Sequence, residues 1–244
     1  MKINMPCPDC GEYNYIDLIE QKEISYACNN CKEIRTYLTM PIYPLFFQYG
    51  IISYQNGYFF ESFISIYKAY ETFIRDFVKA ALYIRTVQSN DSGNYTEHIH
   101  SPEGQTTINR LMKSKFKQSN QLQTAFVTLY FTKYGEMPPK FNSALVTDRN
   151  LFVHSDKIIT DQDCQKLAKE VKKFIRQVEL KMVTESDYFM QEYISGEWIS
   201  LCHHNSNNEW KSLATQELDL GLGTLDTDYR FESILQKAIE YNHK

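Results

Sequence analysis

The sequence lacks several features that would assign it to common protein classes. It has no run of roughly eighteen or more apolar residues, so no transmembrane helix is predicted. Residues 1–7 have no apolar core of the kind found in signal peptides, and a cytoplasmic protein is therefore expected. A glycine-rich phosphate loop, an internal repeat and a serine-nucleophile motif are also missing. These absences argue against a P-loop protein, a repeat array and a serine hydrolase.

The composition instead suits a globular protein with a sizeable core. The 244 residues are 43% hydrophobic and include 18 Tyr and 15 Phe. Basic and acidic residues number 4 and 6 in 1–48 (−2), 18 and 13 in 49–183 (+5), and 4 and 11 in 184–244 (−7). A sequence pI near 5.9 argues against indiscriminate nucleic-acid binding. The basic middle can still hold a polyanion locally.

Four cysteines near the start follow the pattern C-x2-C-x17-C-x2-C: Cys7, Cys10, Cys28 and Cys31. This spacing is typical of two knuckles that bring four thiolates around one tetrahedral Zn²⁺. Alternating segments at 13–16, 23–26 and 34–38 predict short strands. We therefore expect a structural zinc ribbon over residues 1–40, with disulfides as the alternative. Catalytic zinc is not expected, because four cysteine ligands leave no open position.

Residues 41–183 predict a helical domain. A long helix is expected from Gly57 to about residue 85, and Glu71 falls inside its apolar stripe. A buried carboxylate needs a cation or several hydrogen-bond donors. Arg149 is the candidate partner of Glu71. The alternative is a carboxylate at the edge of the stripe that reaches water, Lys68 or Arg75.

Other helices are predicted at 105–116, at 119–134 and after a Thr160 N-cap, with a polar loop at 86–104. The helix at 105–116 and the residues just beyond it carry a basic cluster, read either as a solvated face or as a wall for the RNA backbone: Arg110, Lys113, Lys115 and Lys117. The helix after Thr160 has Cys164 on its apolar face. Five cations are expected opposite that face, in solvent: Lys166, Lys169, Lys172, Lys173 and Arg176.

The stretch 148–154 joins a fixed cation, an amide and an imidazole. Arg149 offers a planar fork that fits phosphate oxygens, and His154 belongs to the residue type that transfers protons at neutral pH. In a helix Asn150 and His154 are i and i+4 neighbours, and the long side chain of Arg149 can bend towards them. The alternative is a surface arginine and a hydrogen-bonded helix histidine.

The long helix with its acid, the intermediate helices and the Arg149-Asn150-x-x-x-His154 motif together resemble the HEPN family. In that family an Arg, four to six residues and a His form a ribonuclease motif, usually with a polar residue directly after the Arg. Glu71 lies where such domains often carry an acid or another polar residue. The resemblance spans roughly 45–182. A zinc ribbon in front of such a domain also resembles architectures among prokaryotic toxin and antiphage defence proteins.

The resemblance implies a mainly α fold and a metal-independent endoribonuclease. The substrate 2′-OH would attack the adjacent phosphate, leaving a cyclic phosphate and a 5′-OH. His154 would move the proton, Arg149 would stabilise the phosphoryl oxygens, and Asn150 would orient His154 or the phosphate. A homodimer through the helical domain is expected, because one histidine cannot easily serve as both base and acid. An antitoxin or another regulatory protein is a further expected partner.

Two other functions remain open: a non-catalytic HEPN-like dimer that binds RNA, a nucleotide or a protein, and a DNA-binding regulator led by the ribbon. The acidic segment 184–244 is expected to form a small α+β appendage. It either masks the basic middle from RNA or serves as folded structure or a docking element.

Overall fold

A computed structural model of the chain describes residues 2–7, 10–17, 23–38, 42–88, 102–154, 158–187, 189–190, 193, 210–212 and 230–242. This part of the chain is mainly helical, as predicted. Its helices are α1 (Tyr43–Gln55), α2 (Phe59–Gln88), α3 (Pro102–Lys115), α4 (Ser119–Tyr134), α5 (Ser143–His154), α6 (Asp161–Thr184) and α7 (Phe231–Asn242). Its strands are β1 (Lys2–Pro6), β2 (Tyr13–Asp17), β3 (Glu23–Ala27), β4 (Ile34–Leu38) and β5 (Trp210–Ser212). Most of the predicted loop at 86–104 lies outside the described residues.

Helix α2 is the centre of the helical part. Its apolar residues recur every three or four positions around more than one face, so it can be covered on several sides at once. Helices α1, α3, α4 and α6 all pack against it. The contacts are largely aromatic: the Phe77 ring meets Phe126 of α4 edge-on at 4.8 Å between centroids. Such edge-to-face pairs add to the stabilisation from burial alone.

Helix α1 lies close to α2 because a glycine stands at the contact. A Cβ atom added to Gly50 would clash with the Ile66 side chain and would lie 3.0 Å from both Ile66 N and the carbonyl oxygen of Ser62. Two of these atoms belong to the α2 backbone, which cannot move aside without shifting the helix. Gly50 therefore sets how closely the two helices approach.

The strands form two small sheets. β1 pairs antiparallel with β2, β3 pairs antiparallel with β4, and β5 lies parallel to β4. The predicted strands are confirmed as β2, β3 and β4, whereas β1 and β5 were not predicted. Because β5 places Trp210 opposite Thr36, a segment near the end of the chain extends the sheet of the second hairpin.

Local signals set the ends of two helices in the predicted places. At the start of α6 the Thr160 hydroxyl accepts a hydrogen bond from Asp163 N, and Thr160 N donates to the Asp163 carboxylate in return. This capping box satisfies two donors that the helix itself leaves unpaired. Helix α4 ends at Gly135, which has a φ of 69° and donates its N–H to the carbonyl oxygen of Phe131.

The expectation that all five α6 cations lie in solvent is wrong for two of them. Lys172 and Arg176 are 0% and 3% exposed. Arg176 Nη1 donates to Glu179 Oε2 at 2.8 Å. The Tyr43 hydroxyl of α1 donates to the other oxygen of Glu179 at 2.9 Å. Burial, reinforced by the charge of Glu179, raises the pKa of Tyr43 well above its ordinary value.

Residues beyond 184 contribute to the main core. Phe231 and Ile234 of α7 are buried in the same apolar cluster as α2, and the Phe231 ring meets Tyr54 of α1 at 4.7 Å. Phe189 packs edge-on against Phe77 at 5.1 Å. Within the described residues, no helix combines the length and the apolar character needed to cross a bilayer.

Candidate functional site

The four predicted cysteines meet at one point between the two hairpins. The first pair lies in the connection from β1 to β2 and the second in the connection from β3 to β4, and all four Sγ atoms lie within 4.8 Å of one another. The Sγ atoms of Cys7 and Cys31 are 3.7 Å apart, and those of Cys10 and Cys28 are 3.6 Å apart. A tetrahedral metal with bonds of about 2.3 Å to sulfur requires a separation of about 3.8 Å. The four thiols can therefore hold a metal ion.

The two knuckles repeat the same backbone pattern. In the first, Gly11 N donates to the Cys7 carbonyl, and in the second, Lys32 N donates to the Cys28 carbonyl. Gly11 and Lys32 both have positive φ, at 73° and 64°. Their shared turn directs the thiols inward from both sides. The alternative of disulfides is not what the geometry shows, because all four cysteines are free thiols.

A buried asparagine that the sequence reasoning missed ties the knuckles together. Asn14 is 2% exposed, its Oδ1 accepts from Asn29 N at 2.8 Å, and its Nδ2 lies 3.6 Å from Cys28 Sγ. The same amide nitrogen donates to the carbonyl oxygen of Glu12. Its position on β2 between two tyrosines was the available signal: a polar residue in an otherwise aromatic strand.

The surroundings of Cys28 favour its thiolate form. Burial acts to raise the pKa of this thiol, but backbone N–H groups of Cys31 and Asn30, with help from the neighbouring thiols, outweigh burial and lower the pKa to about 6. Metal ions bind the thiolate and not the thiol. The donor set and its hydrogen bonds therefore suit a metal with a preference for sulfur.

Arg149 lies against an aromatic ring on the central helix. Leu145 and Phe152, one turn on either side, are buried in the core, and the Phe152 ring meets Phe63 of α2 edge-on at 4.9 Å. Arg149 itself is half-buried, and its guanidinium carbon lies 5.7 Å from the centroid of the Tyr67 ring. This is within the range of a cation–π contact.

Glu71 lies one turn beyond Tyr67 and has a different hydrogen-bond partner from the one expected. Its Oε1 accepts from the hydroxyl of Ser119, the first residue of α4, at 2.5 Å. Glu71 and Arg149 are both close enough to Tyr67 for their charges to affect the pKa of its phenol. Burial and, to a smaller extent, the negative charge of Glu71 raise the pKa of this phenol, the positive charge of Arg149 opposes the rise, and the resulting pKa is about 12. Arg149, Tyr67, Glu71 and Ser119 thus form one polar cluster.

The remaining motif residues are placed by their backbone only. Asn150 and His154 both belong to α5, so the predicted helical spacing of the motif is confirmed. Their side chains lie outside the described residues. His154 is the last residue of the helix, one turn beyond Asn150.

Comparison with known proteins gives no further assignment. No family model, no curated protein and no solved structure matches the chain. The functional assignment therefore depends on two features of the molecule itself: the four-cysteine cluster of the hairpins and the polar cluster at Arg149.

Proposed function

We propose that this protein is a metal-independent endoribonuclease of the HEPN type. The supporting observation is the position of Arg149. Its half-buried guanidinium lies over the Tyr67 ring, on the helix that also carries His154. A guanidinium held by a rigid ring can present its donors to phosphate oxygens with little loss of side-chain freedom.

The reaction needs only groups of the chain and of the RNA. The ribose 2′-oxygen attacks the adjacent phosphorus, the bond from phosphorus to O5′ breaks, and a cyclic phosphate and a 5′-OH remain. His154 takes the proton from the 2′-OH, a contribution of about 10²–10⁴-fold for general base catalysis. Arg149 stabilises the charge on the phosphoryl oxygens, and Asn150 orients His154 or the phosphate.

The departing O5′ must also receive a proton from a general acid. His154 of the same site acts as the base that accepts the 2′-OH proton, so a different group has to serve as this acid. A second copy of the motif supplies the acid if two protomers face each other. We therefore propose a homodimer through the helical part, with one His154 from each protomer at each RNA strand.

The four cysteines are proposed to bind Zn²⁺ as a structural ion. Four thiolates fill a tetrahedral coordination sphere, so the ion has no open position for water or substrate. Its contribution is to hold together two hairpins that are too small to form a hydrophobic core.

The biological role that follows is that of a cytoplasmic toxin or antiphage effector that cuts RNA. The test is incubation of purified protein with total RNA in EDTA, comparing His154→Ala with a matched histidine control, His98→Ala. Wild type and His98→Ala should leave cyclic phosphate ends, whereas His154→Ala should leave the RNA intact and relieve growth arrest on expression. Equal cleavage or equal toxicity of His154→Ala would refute the proposal.

One observation favours a second candidate function, a non-catalytic dimer of this type that binds RNA or a protein. Glu71 is close enough to act on the same phenol as Arg149, so its charge offsets part of the positive potential that a reacting phosphate needs. RNA binding without cleavage by the dimeric protein would select this function.

A further inference from the structure

A strip of exposed cations leads towards the polar cluster at Arg149. It consists of Arg110 and Lys113 on α3 and Lys117 just beyond the end of that helix, and all three are exposed. The spacing of three residues keeps Arg110 and Lys113 on one side of α3. They line a shallow groove together with three small polar residues: Thr106, Asn109 and Ser114.

The strip is connected to Arg149 by contacts in the fold. Lys117 precedes Ser119 by two residues, and the Ser119 hydroxyl donates to Glu71. Glu71 lies one turn from Tyr67, whose ring carries the guanidinium of Arg149. Lys117 therefore lies close to the cluster along the chain, and Arg110 and Lys113 lie further back on α3.

The chemistry of the strip fits a flexible polyanion. The described residues that line the groove are cations and small polar residues, with no apolar residue among them, which suits phosphate oxygens more than the bases. A strand whose 2′-oxygen must align with the departing O5′ has to be free to rotate about its backbone, so the occupant is single-stranded. We propose that Arg110, Lys113 and Lys117 bind the phosphodiester backbone of single-stranded RNA next to the phosphate held at Arg149. This inference rests on the proposed function.

Helix α6 offers a matched control surface. Lys166, Lys169 and Lys173 are exposed on the face of α6 opposite its buried residues, and they carry the same total charge. Reversal of either set to glutamate changes the net charge of the protein by the same six units. A general effect of charge would therefore act equally in both triple variants.

The experiment measures binding in a cleavage-free background. Full-length protein with His154→Ala is titrated into a labelled 20-nucleotide oligouridine, and anisotropy is followed from about 50 to 300 mM salt. Arg110→Glu/Lys113→Glu/Lys117→Glu should weaken binding at least about 30-fold and reduce the slope of log K against log salt by about 2, since each single-strand phosphate contact contributes about 0.7. Lys166→Glu/Lys169→Glu/Lys173→Glu should weaken binding less than about 3-fold.

The proposed role of the strip would be refuted if the two triple variants lost RNA affinity equally. It would also be refuted if the α3 variant kept both its circular dichroism spectrum and its RNA affinity. If the α3 variant fails to fold, the single change Lys113→Gln replaces it, with an expected loss of about 3-fold against Lys173→Gln as control; equal effects again refute the assignment. Duplex DNA that binds as tightly and depends on the same residues would also overturn it. The two proposals fail separately. If RNA binding depends on the strip but the wild type does not cut RNA, only the proposed nuclease activity is refuted. If the protein cuts RNA with a KM that the strip variants do not change, only the proposed role of the strip is refuted.

Discussion

Replacement of Gly50 by alanine should destabilise the protein, although helix propensity alone predicts the opposite. Gly50 lies in the interior of α1, where alanine is normally more stable than glycine by about 1 kcal/mol. The added Cβ would clash with the Ile66 side chain and would lie 3.0 Å from two backbone atoms of α2. Overpacking costs about 1–3 kcal/mol, and contact with backbone places this site at the upper end. The expected net loss is therefore about 2 kcal/mol.

A loss of that size corresponds to a fall in Tm of about 4–8 °C for a chain of this length. Thermal and urea unfolding followed by circular dichroism at 222 nm measure it directly. The control is a double-mutant cycle with Ile66→Ala, which removes the clashing side-chain atom. In that background Gly50→Ala should cost at least about 1 kcal/mol less. A Tm that rises in the single variant would show that α1 does not approach α2 as closely as described.

The remaining predictions concern the two clusters and the acidic segment. Freshly purified protein should contain one equivalent of zinc, and Cys28→Ser should lose it and unfold the two hairpins while retaining helical circular dichroism; metal-free wild type would rule out the centre. Tyr67→Leu should lower kcat/KM about 2- to 30-fold, the equivalent of a cation–π contact of about 0.5–2 kcal/mol. Tyr67→Phe should retain the wild-type kcat/KM because the ring remains. Equal losses of kcat/KM in the two variants would show that the ring does not position Arg149. The masking hypothesis is better tested by neutralisation than by removal of 184–244, because Phe189 and Phe231 belong to the core. The variant replaces four carboxylates of this segment by amides: Glu217, Asp219, Asp226 and Asp228. If these carboxylates mask the strip, the variant should bind RNA more tightly than the wild type. Unchanged RNA binding would mean that the segment has only a structural role.

Features encoded by neighbouring residues could be predicted from the sequence. The cysteine spacing fixes two knuckles because each C-x2-C pair needs only its own turn. The bounds of α4 and the cap of α6 follow from residues three or four positions apart, such as Thr160 with Asp163. The helical spacing within the 149–154 motif follows for the same reason, since the periodicity of a helix is a local property.

Features that depend on which elements meet were decided by the tertiary structure. The burial of Lys172 and Arg176 could not be read from the apolar stripe of α6, because it depends on which elements cover the flank beside that stripe. Near Arg176 one of these elements is α1, whose Tyr43 hydroxyl donates to Glu179. Strand β5 has three residues and pairs with a strand more than 170 positions earlier, so its own sequence carries little signal. Glu71 accepts a hydrogen bond from the hydroxyl of Ser119, which is forty-eight residues away in the sequence. This contact could not be predicted, because it depends on how closely α2 and α4 approach each other.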